Sequence, residues 1–125
     1  MTNEVIEKGK RAKIASYETN IRSTHEKNEA LKQIAAQLLV DLEEILQANE
    51  QDLLSGKENN LDDSTLDRLL LNEARVQAMS DAILQLVDLP DPVGEVLEEI
   101  TKENGLHITK KRVPLGVVGM IYEAR

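Results

Sequence analysis

Residues 112–125 read Arg-Val-Pro-Leu-Gly-Val-Val-Gly-Met-Ile-Tyr-Glu-Ala-Arg. From Val113 to Ile121 almost every side chain is apolar, with valine and isoleucine prominent. A strand with one wet face alternates apolar and polar residues, whereas this stretch reads dry on both faces. Such a strand belongs inside a parallel sheet, with neighbours on both edges and helices over both faces. No second stretch of that kind lies upstream. The pattern therefore predicts that the chain is the front end of a larger α/β enzyme and that Leu115–Ile121 is a strand without its companions.

Composition sets the outer limits. A length of 125 residues is enough for one domain with a core. Aromatic residues make up only 2% of the chain, both of them tyrosine, so the core must come from Leu, Ile, Val and Ala, which suits helices. A net charge of -8 argues against a nucleic-acid module, which needs a surplus of Lys and Arg. The absence of cysteine excludes disulfides, cysteine metal sites and a thiolate nucleophile within this chain. The start, Met1-Thr2-Asn3-Glu4, does not resemble a signal peptide. No apolar run approaches the ~20 residues of a membrane span. The default expectation is a soluble cytoplasmic protein.

Taken in order, the chain predicts a charged helix over residues 4–20, with Val5, Ile6, Ala12, Ile14 and Ala15 as a thin apolar stripe. Thr24 is placed at the start of the strongest periodic segment, in which Leu31, Ile34, Ala35, Leu38, Leu42, Ile45 and Leu46 recur at three and four residues. This helix is expected over residues 25–54, with a bend near Val40-Asp41, closed at Ser55-Gly56 by glycine as a left-handed cap. Residues 57–61 read as a polar loop. Asp63 or Ser64 would cap a short helix carrying Leu66, Leu69 and Leu70. Asn72 would cap another, with Val76, Met79, Ile83 and Leu86 on one face, ending before Leu89-Pro90-Asp91-Pro92. Beyond Glu95 the helical stripe disappears. Glu103-Asn104-Gly105 carries a strong hairpin signal, so residues 96–102 and 106–112 are expected to pair antiparallel. The fold class is thus mainly α, with four to five helices, a C-terminal β-hairpin and one strand. It reads as the N-terminal part of an α/β fold.

Few residues offer chemistry. The glycines of Gly116-Val-Val-Gly119 fit neither a dinucleotide fingerprint nor a P-loop, and are read as sites of close backbone packing in a sheet. Tyr122-Glu123-Ala124-Arg125 would stand at the carboxyl end of a strand, where open parallel sheets bind ligands. Arg125 there is either a planar fork for carboxylate or phosphate, or a solvated arginine. His25 and His107 lack ligand-spaced partners. The pairs Glu43-Glu44, Asp62-Asp63 and Glu98-Glu99, and the basic run Lys110-Lys111-Arg112, read as solvated surface. No metal site and no catalytic residue is predicted.

The run Arg112–Arg125 resembles the gamma-glutamyl phosphate reductase family (glutamate-5-semialdehyde dehydrogenases) of proline biosynthesis. Its Arg-x-Pro-x-Gly-Val-x-Gly-x-Ile part is similar to the wider aldehyde dehydrogenase superfamily, and the ending Ile-Tyr-Glu-Ala-Arg is specific to the reductase. Ile45-Leu-Gln-Ala-Asn49 with Asp52, Leu66-Asp-Arg-Leu69 and Asp91-Pro-Val-Gly94 carry the same resemblance along nearly the whole chain.

The resemblance implies an oxidoreductase that reduces γ-glutamyl phosphate with NADPH, through a cysteine thioester, to glutamate semialdehyde. It implies a cofactor contact at Ile121 and Tyr122 and a substrate contact at Glu123 and Arg125. It divides the chain into a helical region (1–94) packed on the cofactor domain, a hairpin (95–112) belonging to an oligomerisation arm, and the first strand of a Rossmann-like NADP-binding domain (113–125). The expected partners are a small-molecule acyl phosphate and further copies of the full-length protein, with no nucleic acid and no membrane. Without a cysteine, the chain alone is expected to be inactive. The competing expectation is a stand-alone helical interaction module that associates through its hairpin and apolar strand. A membrane-surface helix fits poorly, because the polar faces are acidic.

Overall fold

Five helices precede one antiparallel hairpin in the computed structural model of the chain, which describes residues 3–121. These form two units, residues 25–89 with 120–121, and residues 3–24 with 90–119.

The first unit holds most of the helical signal. The long periodic segment is two helices, α2 (Thr24–Val40) and α3 (Leu42–Glu58). They break at Asp41, where the expected bend falls and where both carboxylate oxygens accept from Gln37 Nε2 at 2.9 Å. Leu31, Ala35, Leu38, Leu42, Ile45 and Leu46 turn inward as their spacing requires, whereas Ile34 stays exposed. Gly56 does not cap the helix; α3 runs through it to Glu58. Asn60 takes the left-handed position instead, at φ 56°. Leu61 N–H donates to Gly56 O and Asn60 N–H to Lys57 O, both at 3.0 Å, which is the Schellman closure. Gly56 is buried for a different reason: a β-carbon there would stand 3.0 Å from Leu66 Cδ2 and 3.2 Å from Leu61 Cδ1. The last turn of α3 is thus helical where a polar loop was expected.

Two short-range caps follow. Asp62, one residue before the expected cap, accepts from Thr65 N–H at 2.7 Å and opens α4 (Asp63–Leu69). Asn72 accepts from Arg75 N–H at 2.9 Å and opens α5 (Glu73–Val87), as expected. The buried side of α5 is Val76, Ser80, Ile83 and Val87, rotated from the expected face; Met79 and Leu86 are exposed. Val76 is 0% exposed, and Ser80 donates through Oγ to Ala35 O of α2 at 2.9 Å. A serine reaching a main-chain carbonyl of another helix needs close approach, which the small side chains of Ala35 and Ser80 permit.

In the other unit, α1 (Glu4–Thr19) is opened by Asn3, whose Oδ1 accepts from Val5 N–H at 3.0 Å. Glu4 and Glu7 sit in its first turn, where the helix dipole favours negative charge. Its apolar residues Val5, Ile6 and Ile14 are exposed and Ser16 is buried, so the thin stripe is not packed. At Asp91-Pro92-Val93-Gly94 the Asp91 carboxylate accepts from Val93 N–H at 3.0 Å and from Thr24 Oγ1 at 2.9 Å. Gly94, at φ 88°, completes a tight turn closed by Glu95 N–H to Pro92 O at 3.2 Å.

The hairpin pairs β1 (Val96–Thr101) with β2 (His107–Lys111) in the expected register region. Ile100 faces Ile108, Glu98 faces Lys110, and a bulge falls between Val96 and Glu98. The connection is a three-residue loop: Gly105 N–H donates to Lys102 O at 2.9 Å, Gly105 sits at φ 85°, and Lys102 N–H donates to Leu106 O at 2.8 Å. Both faces of the ribbon are exposed.

The expected strand Leu115–Ile121 is not formed: residues 112–121 carry no regular secondary structure. A strand exists only in a ladder, and no described segment pairs with this one. Gly116, at φ 97°, also departs from extended geometry. The stretch is neither helical nor buried; Leu115 is 89% exposed.

Candidate functional site

Three groups of residues could carry function, and each has a definite environment. The first is the apolar tail. Ile121, expected against a cofactor, is fully exposed. Tyr122, Glu123 and Arg125 lie outside the described residues. Around Gly116 and Gly119, nothing stands within 4 Å of where a β-carbon would be, so neither glycine marks a close backbone approach here. The described part of this stretch forms no cradle for a dinucleotide.

The second group is the basic run. Lys110 faces Glu98 across the ladder. Lys111 lays its Cε 3.7 Å from the β-carbon position of Gly94. Arg112 gives its Nε to Glu95 Oε2 at 2.8 Å and its backbone N–H to Glu95 O at 2.9 Å. Pro92, Val93, Arg112 and Val113 line a shallow depression at the hairpin root. The guanidinium there has a carboxylate partner, so the run acts as the basic half of a charge-paired ribbon. His107 lies on the face away from Lys110, with Nδ1 3.0 Å from Thr101 Oγ1 and Nε2 3.6 Å from Glu99 Oε1, all three residues exposed. Glu43, Glu44, Asp62, Asp63, Glu98 and Glu99 are likewise exposed. Among the described residues no group of three His, Cys, Asp or Glu side chains could hold a metal ion.

The third group was not foreseen from the sequence, and it is a hydrogen-bonded polar cluster centred on a buried asparagine. Asn49 on α3 is 8% exposed. Its Nδ2 donates to Leu69 O and its Oδ1 accepts from Leu71 N–H, both at 2.8 Å. Arg75 on α5 reaches the same link from the other side. Its Nη1 donates to the carbonyls of Asp67 and of Leu70, the latter at 2.8 Å, and its Nη2 pairs with Asp67 Oδ1 at 2.9 Å. Two side chains thus satisfy four main-chain groups where α4 ends and α5 begins, a place helices leave short of partners. A signal existed: Asn49 follows Ile45 by one helical turn, a polar residue at a core position of the stripe. Among the described residues no buried side-chain polar atom is left without a partner, so nothing here waits for a ligand. The arrangement braces the helices and performs no chemistry of its own.

Two carboxylates are held below the usual range. Asp62 is lowered by the Thr65 backbone N–H, then by the Thr65 hydroxyl, with Arg68 adding to both. Glu29 is lowered by its hydrogen bond with Lys32 and by that charge. Asp62 is exposed and Glu29 half-exposed on its helix, each held by a local partner, so neither is tuned for acid-base catalysis.

No family model matches the chain. Individual proteins do. The chain is 54% identical over 123 residues to gamma-glutamyl phosphate reductase of Oceanobacillus iheyensis, covering 98% of the chain and 30% of that protein. It is equally similar to the Bacillus cereus protein of the same name. Among solved structures, gamma-glutamyl phosphate reductase of Thermotoga maritima superposes with a TM-score of 0.87 at 39% identity, over 90% of this chain and 27% of that one. The Saccharomyces cerevisiae enzyme gives 0.76 at 28% identity, over 87% of this chain. The chain therefore spans about a third of the length of its relatives, and its five helices and hairpin match the N-terminal part of their fold.

Proposed function

We propose that this chain, homologous to the gamma-glutamyl phosphate reductases over nearly its whole length, is the N-terminal segment of such an enzyme, a cytoplasmic glutamate-5-semialdehyde dehydrogenase of proline biosynthesis. The complete protein reduces L-glutamyl 5-phosphate with NADPH and assembles with further copies through the hairpin, Val96–Lys111. One observation carries the reading: 54% identity sustained over 123 residues. Chance similarity does not reach that identity over 98% of a chain.

The part this chain plays is structural. Residues 25–89 supply a helical unit braced by Asn49, Arg75 and Ser80. Residues 113–121 supply an apolar stretch suited to the first strand of the NADP-binding sheet. Tyr122, Glu123 and Arg125 follow at its carboxyl end, where a cofactor and an acyl phosphate would be met. The described residues do not by themselves fit the cofactor. The covalent step of the reaction needs a thiolate, and the chain has no cysteine, so the chain alone is inactive.

Two assays test the reading. The 125-residue chain is mixed with NADPH and the acyl phosphate, or with glutamate semialdehyde, phosphate and NADP; no turnover is expected, and measurable turnover would overturn the inactivity. A chimera joins the chain to the remaining stretch of the Oceanobacillus iheyensis relative. It should turn over in both directions, and a folded but inert chimera would count against the assignment.

A further inference from the structure

The hairpin loop carries a second kind of chemistry that the proposed enzyme does not use. Asn104 and Gly105 are both exposed, and no atom approaches within 4 Å of the β-carbon position of Gly105. An asparagine followed by glycine can cyclise, because no side chain shields the next main-chain nitrogen. In this fold both reacting groups are engaged. Gly105 N–H donates to Lys102 O at 2.9 Å, and Asn104 Oδ1 accepts from Leu106 N–H at 3.1 Å. The ribbon that holds them is two-stranded with both faces in water, the kind of element that opens readily.

We infer that Asn104 is a spontaneous deamidation site whose rate is set by opening of the hairpin. In the open form the Gly105 nitrogen loses its proton to hydroxide and attacks Asn104 Cγ. The new N–Cγ bond forms as the Cγ–Nδ2 bond breaks, and the amide leaves as ammonia after taking a proton from water. Water then opens the succinimide at one carbonyl or the other, giving aspartate or isoaspartate, with no change in oxidation state. Either product adds a negative charge next to Glu103. Isoaspartate also adds a methylene to the main chain inside a loop closed by Lys102 and Gly105, so the modified hairpin should not re-form its original turn.

The test compares three samples in the same mildly alkaline buffer: the 125-residue chain, a free peptide spanning residues 101–107, and the chain carrying Ile108→Pro. The substitution breaks the ladder without touching the loop. Conversion at Asn104 is followed by peptide mapping with mass and isoaspartate detection. Two hydrogen bonds, one to the Gly105 N–H and one to the Asn104 side chain, must break before cyclisation, so the chain should convert roughly tenfold more slowly than the peptide. Ile108→Pro should restore the peptide's rate. Equal rates in chain and peptide, or a chain whose slow rate survives Ile108→Pro, would overturn the inference.

Discussion

Removing the Asn49 side chain is the sharpest perturbation the fold offers. In Asn49→Ala the Leu69 carbonyl and the Leu71 N–H each lose a partner held at 2.8 Å. An unsatisfied buried main-chain group costs about 1 to 3 kcal/mol. Leu69 and Leu71 are only half-buried, so water reaches the link in part and the sum belongs in the lower half, about 2 to 4 kcal/mol. Urea unfolding followed by far-UV circular dichroism reads this directly. With a slope of about 2 kcal/mol per molar urea, the midpoint should fall by about 1 to 2 M at unchanged slope. Gln47→Ala, two residues away and exposed, is the control and should stay within about 0.5 kcal/mol of the parent. Asn49→Asp adds a discriminating arm. It keeps an acceptor for Leu71 N–H but sets a second acceptor against Leu69 O, which raises the folded-state pKa of the new carboxyl. Stability tied to the protonated form is present at low pH and lost as pH rises through that value, so Asn49→Asp should recover relative to the parent on acidification, and Asn49→Ala should not. A midpoint for Asn49→Ala indistinguishable from that of Gln47→Ala would refute the brace.

Other consequences follow from single residues. Gly9 lies inside α1 with nothing within 4 Å of its β-carbon position, so Gly9→Ala should raise helicity and add up to about 1 kcal/mol to the stability of that helix, read by circular dichroism. Gly56→Ala gains the same propensity but meets Leu66 and Leu61 at 3.0 and 3.2 Å, so it should give clearly less in the same assay. Loss of the α5 cap in Asn72→Ala should cost about 1 kcal/mol in urea unfolding. Asp62 has its folded pKa depressed by Thr65, so its contribution is present above the ordinary aspartate value and lost as pH falls through the lowered one. The Thr65 amide shift should therefore titrate with a midpoint below the ordinary aspartate value. Asp62→Asn keeps an acceptor and should abolish that step.

What could be read from the sequence was what depends on neighbours along the chain. The caps at Asp62 and Asn72, the break at Asp41 and the Gly105 loop are set by residues within about four positions; Asn72, the break and the loop fell where expected, and the α4 cap lies one residue before Asp63 and two before Ser64. Gly56 was misread because a helix glycine has two uses that look alike in one dimension. It can end a helix by its backbone freedom, or admit another side chain by its lack of one, and only the positions of Leu61 and Leu66 decide between them. Asn49, Ser80 and Arg75 were missed on the same ground: Asn49 and Ser80 meet backbone 20 to 45 residues away, and Arg75 closes a link whose shape only the folded helices define. The apolar run Leu115–Ile121 is the converse case. Its composition specifies two dry faces, yet a ladder needs hydrogen-bond partners that composition cannot supply, so the described segment stays exposed and irregular. Local chemistry thus fixes where this chain starts and stops each element. Which face of α5 turns inward is decided by contacts distant in sequence: Val76 is fully buried and Ser80 Oγ donates to Ala35 O, while Met79 stays exposed.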